Sequence, residues 1–458
     1  MTASSDHAEL LAEHGAELRE RVAEGAERIG IPGVVVGIAY GDAEDYVYHG
    51  ITSVTNPLPV DAGTLYQIGS TGKTFTATAI MRLVEQGKVE LEAPVRRYIT
   101  DFALKDARVA EQVTVLHLLN HTSGWSGDFF VDTGYGDDAL ARMVQKLVEA
   151  EQEAPLGARV SYSNSGFSVA GRVIECVTGQ PFEDAVRDLV LEPLGLREHF
   201  YYPWDIMIRR FAAGHARINN VNQVVPWYES RSGHPQGGGI SATARDQLRY
   251  ARFHMGDGWG IMQRATLEQM QTPTTPPTSE GTRGIGWGLS EINGVKVVSH
   301  GGSTRGHQTS FEMVPERQFA LVVFTNARHG IELLGEMKDW VFANYLGLEE
   351  AVPDPLPLSA DELAEYTGEY EASTGVLTVS IVDDHLLGAL TVNEELRNEL
   401  GEPSEGEEAV PPVPFRILPD NQFLIIEGAY KGLRGGIVRD DAGRLTGLDL
   451  GRVFNKRA

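Results

Sequence analysis

Thiols are almost missing from this chain. Cys176 is the one cysteine among 458 residues, so no disulfide closes within the chain and no cluster of thiolates is there to hold zinc. Set in the apolar run Val173-Ile174-Glu175-Cys176-Val177, it reads as a small core residue. Positive charge is scarce as well, with 39 bases against 64 acids and a formal net charge of −25. A protein that tracks a phosphate backbone needs a basic footprint, so this composition argues against a nucleic-acid partner. Only 8 of the bases are lysine, which gives weight to any lysine beside a candidate nucleophile, because arginine cannot replace it as a proton acceptor. Long apolar runs are also lacking. The stretch from Met1 to Ile29 is charged and helix-patterned through Leu10, Leu11, Leu18 and Val22, without the apolar core of a leader peptide or the about 20 apolar residues of a membrane span. It reads as a surface helix of a soluble, cytoplasmic protein with no membrane partner.

What is present suffices for two cores, since 42% of the residues are hydrophobic and the length exceeds what one core usually serves. Gly33 to Tyr40 and Tyr46 to Gly50 read as two strands joined at Gly41-Asp42. Helical patterns follow at 72–87, 139–150, 166–178 and 243–255, then strands within 285–300 and 308–325, with turns at Asn293-Gly294 and Pro315-Glu316. Strands on both sides of a helical stretch predict an α+β layer structure whose first and last strands share one sheet. A further helix over 331–347 stops at Gly347, and Pro353, Pro355 and Pro357 stiffen the linker behind it. From Tyr366 onward short alternating strands, with turns at Asp383-Asp384, Pro419-Asp420-Asn421 and Asp440 to Gly443, predict a small antiparallel meander or barrel. Within it, Asn393 to Pro414 is rich in Glu and Pro and reads as a solvated excursion. The expected division is a catalytic domain over 1–348, a linker over 349–360 and a barrel domain over 361–458.

The chemistry is carried by three short motifs. Ser70-Thr71-Gly72-Lys73 is the one S-x-x-K and opens a helix with Ala77, Ile80, Met81 and Val84 on its apolar side. Residues three apart share a helix face, so Lys73 lies one turn below a serine at the helix N-terminus, where developing negative charge is favoured. A buried lysine has a depressed pKa and can take a serine proton. A phosphate-binding loop is the rival reading of Gly72-Lys73-Thr74, but its first glycine would fall at position 67, which is Gln. Tyr162-Ser163-Asn164 is the one Y-x-N; on extended backbone its first and third side chains point the same way, a phenol to relay a proton and a carboxamide to hold a substrate amide. The bland alternative is Asn164 as a helix cap with Tyr162 packed beneath.

His300-Gly301-Gly302-Ser303 ends the apolar strand 295–299, where a glycine lets a second backbone come close and the Ser303 N–H can join that of Ser70 in an oxyanion hole. A second H-x-G, His254-Met255-Gly256, closes the helix 243–255 and reads as structural, with Gly256 as C-cap and His254 suited to a helix C-terminus. His117 and His121 have the spacing of zinc ligands, but Leu118-Leu119-Asn120 between them brings no glutamate and no third ligand is evident. They read as bracing residues. Neither a metal nor an organic cofactor is expected.

With the order S-x-x-K, Y-x-N, H-x-G, the sequence resembles the serine β-lactamase and penicillin-binding-protein superfamily, in the branch of class C β-lactamases, D-aminopeptidases and related esterases. The resemblance spans about residues 15–345 and takes in Leu118 to Gly124 and Gly237 to Thr243. It implies an antiparallel sheet flanked by helices plus an all-helical lobe. It implies Ser70 as nucleophile, Lys73 and Tyr162 as the general-base pair, Asn164 as a substrate-amide contact and His300 as hydrogen-bond partner of Tyr162. Gly302 and Ser303 would then bind substrate through their backbone. Trp125, with Asp128, Phe129 and Phe130, falls where the family lines its pocket. At the third motif β-lactamases carry Lys-[Ser/Thr]-Gly, and the loss of that ammonium here turns the expectation from β-lactams toward D-aminopeptidase-like, amidase or esterase chemistry. The segment opening at Tyr366-Thr367-Gly368-Glu369-Tyr370 looks like the lipocalin-like barrel of some peptidases and peptide-cyclising thioesterases of the superfamily.

The resulting expectation is a serine hydrolase or acyltransferase acting through a Ser70 acyl-enzyme on small peptides or amides, D-residues included. A carboxylesterase or peptide-cyclising thioesterase is the near alternative, and a binding or sensor protein that acylates without turnover, or does no chemistry, is the distant one. A homo-oligomer is left open.

Overall fold

Leu11, Leu18, Val22 and Ala26 recur at helical spacing along the first helix, α1 (Thr2–Ile29), and form one apolar stripe that is buried. In the computed structural model, which describes residues 2–227, 230–279, 281–393 and 411–457, that stripe covers one face of an antiparallel sheet. The strands are β1 (Gly33–Tyr40), β2 (Ala43–Gly50), β3 (Thr282–Arg283), β4 (Gly288–Ile292), β5 (Val295–Ser299), β6 (Gly302–Ser303), β7 (Gln308–Val314) and β8 (Phe319–Thr325). They stand in the order β2-β1-β8-β7-β5-β4-β3, with the short β6 paired to β7. The expected sharing of one sheet by first and last strands is met: β1 pairs β8 with Val34 opposite Thr325.

Alternation along β1 and β8 explains the two packed layers. Val34, Val36, Ile38, Leu321 and Val323 face α1 and the helix α5 (Ile331–Val341), whose Leu333, Met337 and Val341 complete that core. Val35, Ala39, Val322 and Phe324 point the other way, into the core of the helical lobe. That lobe contains α2 (Lys73–Glu85), α3 (Asn164–Thr178) and α4 (Ala244–Met255).

Three expectations change on the way from pattern to packing. The helix α2 is not amphipathic in place: every residue from Lys73 to Met81 is buried. Its threonines survive there because each hydroxyl has a partner, Thr74 on the Thr71 carbonyl at 2.8 Å, Thr76 on the Pro235 carbonyl at 2.7 Å and Thr78 with the Tyr250 hydroxyl at 2.8 Å. Cys176 is exposed rather than core, because the last turn of α3 runs out of the lobe and Val177 is only partly covered. Gly256 is the C-cap of α4 as expected, in extended backbone (φ −88°, ψ −155°), and the third change falls on the histidine ahead of it. His254 is buried against Thr78 and Trp287 instead of serving as an exposed helix-end cation, and burial holds its imidazole far down, at about 3.

Behind α5, residues 349–359 carry no regular structure, but Leu356 N–H donates to the Ile417 carbonyl at 2.8 Å. The C-terminal strands β9 (Gly368–Ala372), β10 (Gly375–Val382), β11 (His385–Val392), β12 (Val413–Leu418), β13 (Gln422–Ile425), β14 (Arg434–Arg439), β15 (Leu445–Asp449) and β16 (Val453–Lys456) form a closed antiparallel barrel. Closure by β9 on β16 removes the free edges that a meander would leave. Its interior is built from alternate residues such as Tyr370, Leu377, Phe415, Phe423 and Leu448. Most of the excursion expected between Asn393 and Pro414 lies outside the described residues. Among the described residues no helix is long and apolar enough to cross a membrane.

Candidate active site

The S-x-x-K motif folds as a 3-10 turn over Gly69–Gly72 that runs directly into α2. Gly69 takes φ +52° and lies so close to the third motif that a Cβ there would stand 2.6 Å from the Ser303 nitrogen, so only glycine fits. Ser70 is half-buried at the mouth of the turn, and Lys73 below it has 0% exposure. Its Nζ donates to Asn164 Oδ1 at 2.6 Å and to the Gln236 carbonyl at 2.6 Å, which in the neutral amine leaves the lone pair for Ser70 Oγ at 3.1 Å. Burial pushes this amine well below the usual lysine range; Asp128 opposes that and Arg452 reinforces it.

Tyr162 approaches the same serine from the segment that enters α3. Its hydroxyl lies beside Ser70, its ring stacks on His121 at 4.4 Å, and its backbone N–H donates to the Gly451 carbonyl at 3.0 Å. Burial pushes the phenol up to about 12, so it stays protonated at neutral pH. The helix cap is Ser163, whose Oγ accepts from the Gly166 N–H at 3.0 Å, and Asn164 is thereby free to face Lys73. His121 Nδ1 accepts from the Ser163 N–H at 3.0 Å and so props the motif from beneath, while His117 Nδ1 accepts from the Thr114 N–H at 3.1 Å. Both brace loops. No group of three His, Cys, Asp or Glu side chains able to hold a metal occurs among the described residues.

The third motif closes over the serine turn. A Cβ on Gly302 would fall 1.9 Å from the Ile68 carbonyl, and Thr309 Oγ1 donates to that carbonyl at 3.1 Å while Thr71 Oγ1 donates to the His300 carbonyl at 3.2 Å. Two threonines thus staple β6 and β7 to the nucleophile turn. His300 does not take the partner expected of it. Its Nδ1 is engaged with the Gly301 carbonyl at 2.7 Å, and its ring centre stands 6.3 Å from that of Tyr162. Desolvation keeps His300 below the usual imidazole range, so it is a neutral group where a lysine would be a cation.

Ser70, Tyr162, Asn164, His300, Gly302 and Ser303 all line one open cavity of about 1030 Å³, together with Asp128 and Phe130. Trp125 does not. It is 2% exposed, donates from Nε1 to Ser165 Oγ at 2.8 Å and packs on Phe102, and Phe129 likewise packs on the core. Four consecutive-looking candidates therefore divide by side-chain direction, which the loop's irregular backbone hides from a sequence pattern. Trp125→Ala should lower stability by about 3–5 kcal/mol, as for other buried aromatics, which thermal unfolding will register. A neutral result would return Trp125 to the pocket wall.

Two participants had no signal in the motifs. The Gln236 carbonyl stands just ahead of the noted glycine run, and Arg452 comes from the turn between β15 and β16 of the barrel. Arg452 Nη2 donates to Asp128 Oδ1 at 2.7 Å, and its Nε pairs with Oδ2 of the same carboxylate. Gly428, Leu433, Leu450 and Gly451 bring further barrel surface to the cavity.

Residues 18–343 match the family model described as Beta-lactamase. Penicillin-binding protein 4 of Amycolatopsis lactamdurans is 30% identical over 369 residues, covering 75% of this chain and 94% of that protein. Among solved structures, SurE with D-Leu superposes with a TM-score of 0.73 at 22% identity, over 98% of this chain and 99% of the other. The D-amino acid amidase of Ochrobactrum anthropi SV3, complexed with D-phenylalanine, gives 0.57 at 23% identity over 69% of this chain and 92% of the other. The two structural likenesses are likenesses of fold.

Proposed function

Because the chain belongs to the beta-lactamase family and is a serine hydrolase of that family, we propose that it acts through an acyl-enzyme on Ser70, with small peptides or amides, D-residues included, as substrates. The observation that carries this reading is a wholly buried amine, Lys73, 3.1 Å from a half-buried serine hydroxyl. Ser70 Oγ bonds to the substrate carbonyl carbon as its proton passes to Lys73, and the oxygen that gains the electron pair rests on the N–H groups of Ser70 and Ser303. The tetrahedral centre collapses, the C–N bond breaks, and the amine leaves with a proton from Tyr162, which Lys73 restores. Water or a second nucleophile then attacks the ester and frees Ser70. Asn164 and the backbone of Gly302 and Ser303 hold the substrate, and His300 packs beside Tyr162 as a neutral wall.

The neutral third motif supports an amide or peptide over a substrate held by a carboxylate on a motif-three cation. D-Leu in SurE and D-phenylalanine in the amidase support D-residues. In this reading residues 1–348 carry the reaction, 349–360 connect, and 361–458 contribute a wall of the cleft.

The test is intact-protein mass spectrometry after a fluorophosphonate, beside Ser70→Ala, followed by p-nitrophenyl esters and D- and L-amino acid p-nitroanilides. One adduct on Ser70, none on the variant, and cleavage of D-anilides are expected. Ester cleavage alone would move the assignment to a carboxylesterase. An adduct without turnover would move it to an acylation-only receptor, and no adduct would remove Ser70 as nucleophile.

A further inference from the structure

The hydrogen bonds around Lys73 have a direction that leads out of the catalytic lobe. Lys73 Nζ donates to Asn164 Oδ1 at 2.6 Å, Asn164 Nδ2 donates to Asp128 Oδ1 at 2.6 Å, and Arg452 closes the series with both of its bonds on Asp128. Four side chains from four separate segments meet there: α2, α3, the loop carrying Asp128, and the barrel turn. The Asp128 side chain is 3% exposed, a burial that a carboxylate tolerates when it is paired. Its partner could have been Lys73. Were it so, the ammonium would be the favoured form and the amine could not accept a proton from Ser70. Arg452 occupies the carboxylate instead, and its guanidinium also lies 5.1 Å from the centre of the Tyr162 ring that Lys73 approaches to 5.0 Å.

We propose that Arg452, supplied by the C-terminal barrel, is a positioning residue for acylation: it neutralises Asp128 and fixes Asn164 with its oxygen toward Lys73, so the barrel sets the charge that the base feels. The inference rests on Lys73 as the proton acceptor proposed above. The other titratable or charged groups facing Lys73 are Ser70 and Tyr162 at its tip, His121 beneath Tyr162, and His300 on the third motif, with Arg283 of β3 acting on the latter three. None of these is a carboxylate, which leaves Asp128 as the anion whose balance matters. The backbone bond from Tyr162 to Gly451 holds the barrel turn in register for this contact.

The experiment is the rate of Ser70 labelling by a fluorophosphonate from pH 5 to 10 in the full-length protein, Arg452→Gln, Asp128→Asn, the double variant and Arg452→Lys, with thermal unfolding alongside. The acid limb should rise by about one pH unit in Arg452→Gln, as expected for one unscreened charge nearby. It should fall in Asp128→Asn, return to the parent position in the double variant, and stay near the parent in Arg452→Lys. Coincident limbs in all five proteins would overturn the inference while leaving Ser70 and Lys73 in their roles. So would the same shift in Arg452→Gln and in the double variant, which would mean loosened structure and not charge. No label on the parent protein would overturn the acyl-enzyme reading itself, and this inference with it.

Discussion

Lys73→Met is expected to slow labelling and turnover at Ser70 by about three to four orders of magnitude, the range that loss of a positioned base produces. Methionine matches the length of the lysine stem in a site with no exposure, so the turn and α2 have no steric reason to move. What is lost is the proton acceptor at 3.1 Å from Ser70 Oγ. The carbonyl oxygens of Asn164 and Gln236 lose a donor each, but removal of a buried basic group offsets part of that cost.

A second readout separates this from general damage. In the folded protein Lys73 titrates well below 10.5, its value in an unfolded chain. Between those two values the unfolded state binds the extra proton, so stability rises with pH across that window and is level above it. Lys73→Met should flatten that part of the stability curve while abolishing the acid limb of the activity profile. Since Tyr162 is pushed up to about 12, the parent should hold its rate far into the alkaline range. Unaltered labelling by Lys73→Met would reassign the base.

Gly302→Ala should cost about two to three orders of magnitude in acylation, a loss comparable with removal of an oxyanion-hole donor, and about 2–3 kcal/mol of stability through overpacking. Its Cβ would lie 1.9 Å from the Ile68 carbonyl and 2.6 Å from Thr309 Oγ1, both on the staple that holds the third motif to the nucleophile turn. β6 would have to retreat, carrying the Ser303 N–H with it. The neighbouring glycine is the control: at Gly301 a Cβ would meet only the Thr309 carbonyl at 3.6 Å, an ordinary contact. Gly301→Ala should therefore stay close to the parent in both labelling rate and melting temperature. Equal damage at the two positions would mean that the pair is needed for backbone freedom rather than for close approach.

How far the sequence could be read depended on whether a feature was local. Ser70 and Lys73 are one helical turn apart, and Tyr162 and Asn164 are two residues apart, so their shared direction follows from backbone geometry alone. The sheet was legible because β1 and β8 are β-branched and bounded by turns, and the barrel because its turns recur at short intervals. Trp125 and Phe130 sit in one irregular loop, where no period says which side chain faces the core, and only the first does. Cys176 lies in an apolar run yet is exposed, since a run does not tell where a helix leaves its lobe. Arg452 and Asp128 are joined solely by the docking of the barrel on the lobe, and no pattern in either segment encodes that meeting.

The pairing of Val34 with Thr325 also bears on how the chain reaches its native state. During synthesis β1 and β2 emerge first, and β1 keeps one edge bare until β8 has been made, while the whole helical lobe appears in between. Contacts so distant along the chain delay closure of the sheet and prolong the exposure of a strand as apolar as Gly33–Tyr40. The barrel, whose strands mostly pair with their immediate successors, has no such wait. Refolding from denaturant should accordingly be biphasic, with the C-terminal strands protected from hydrogen exchange before β1 is.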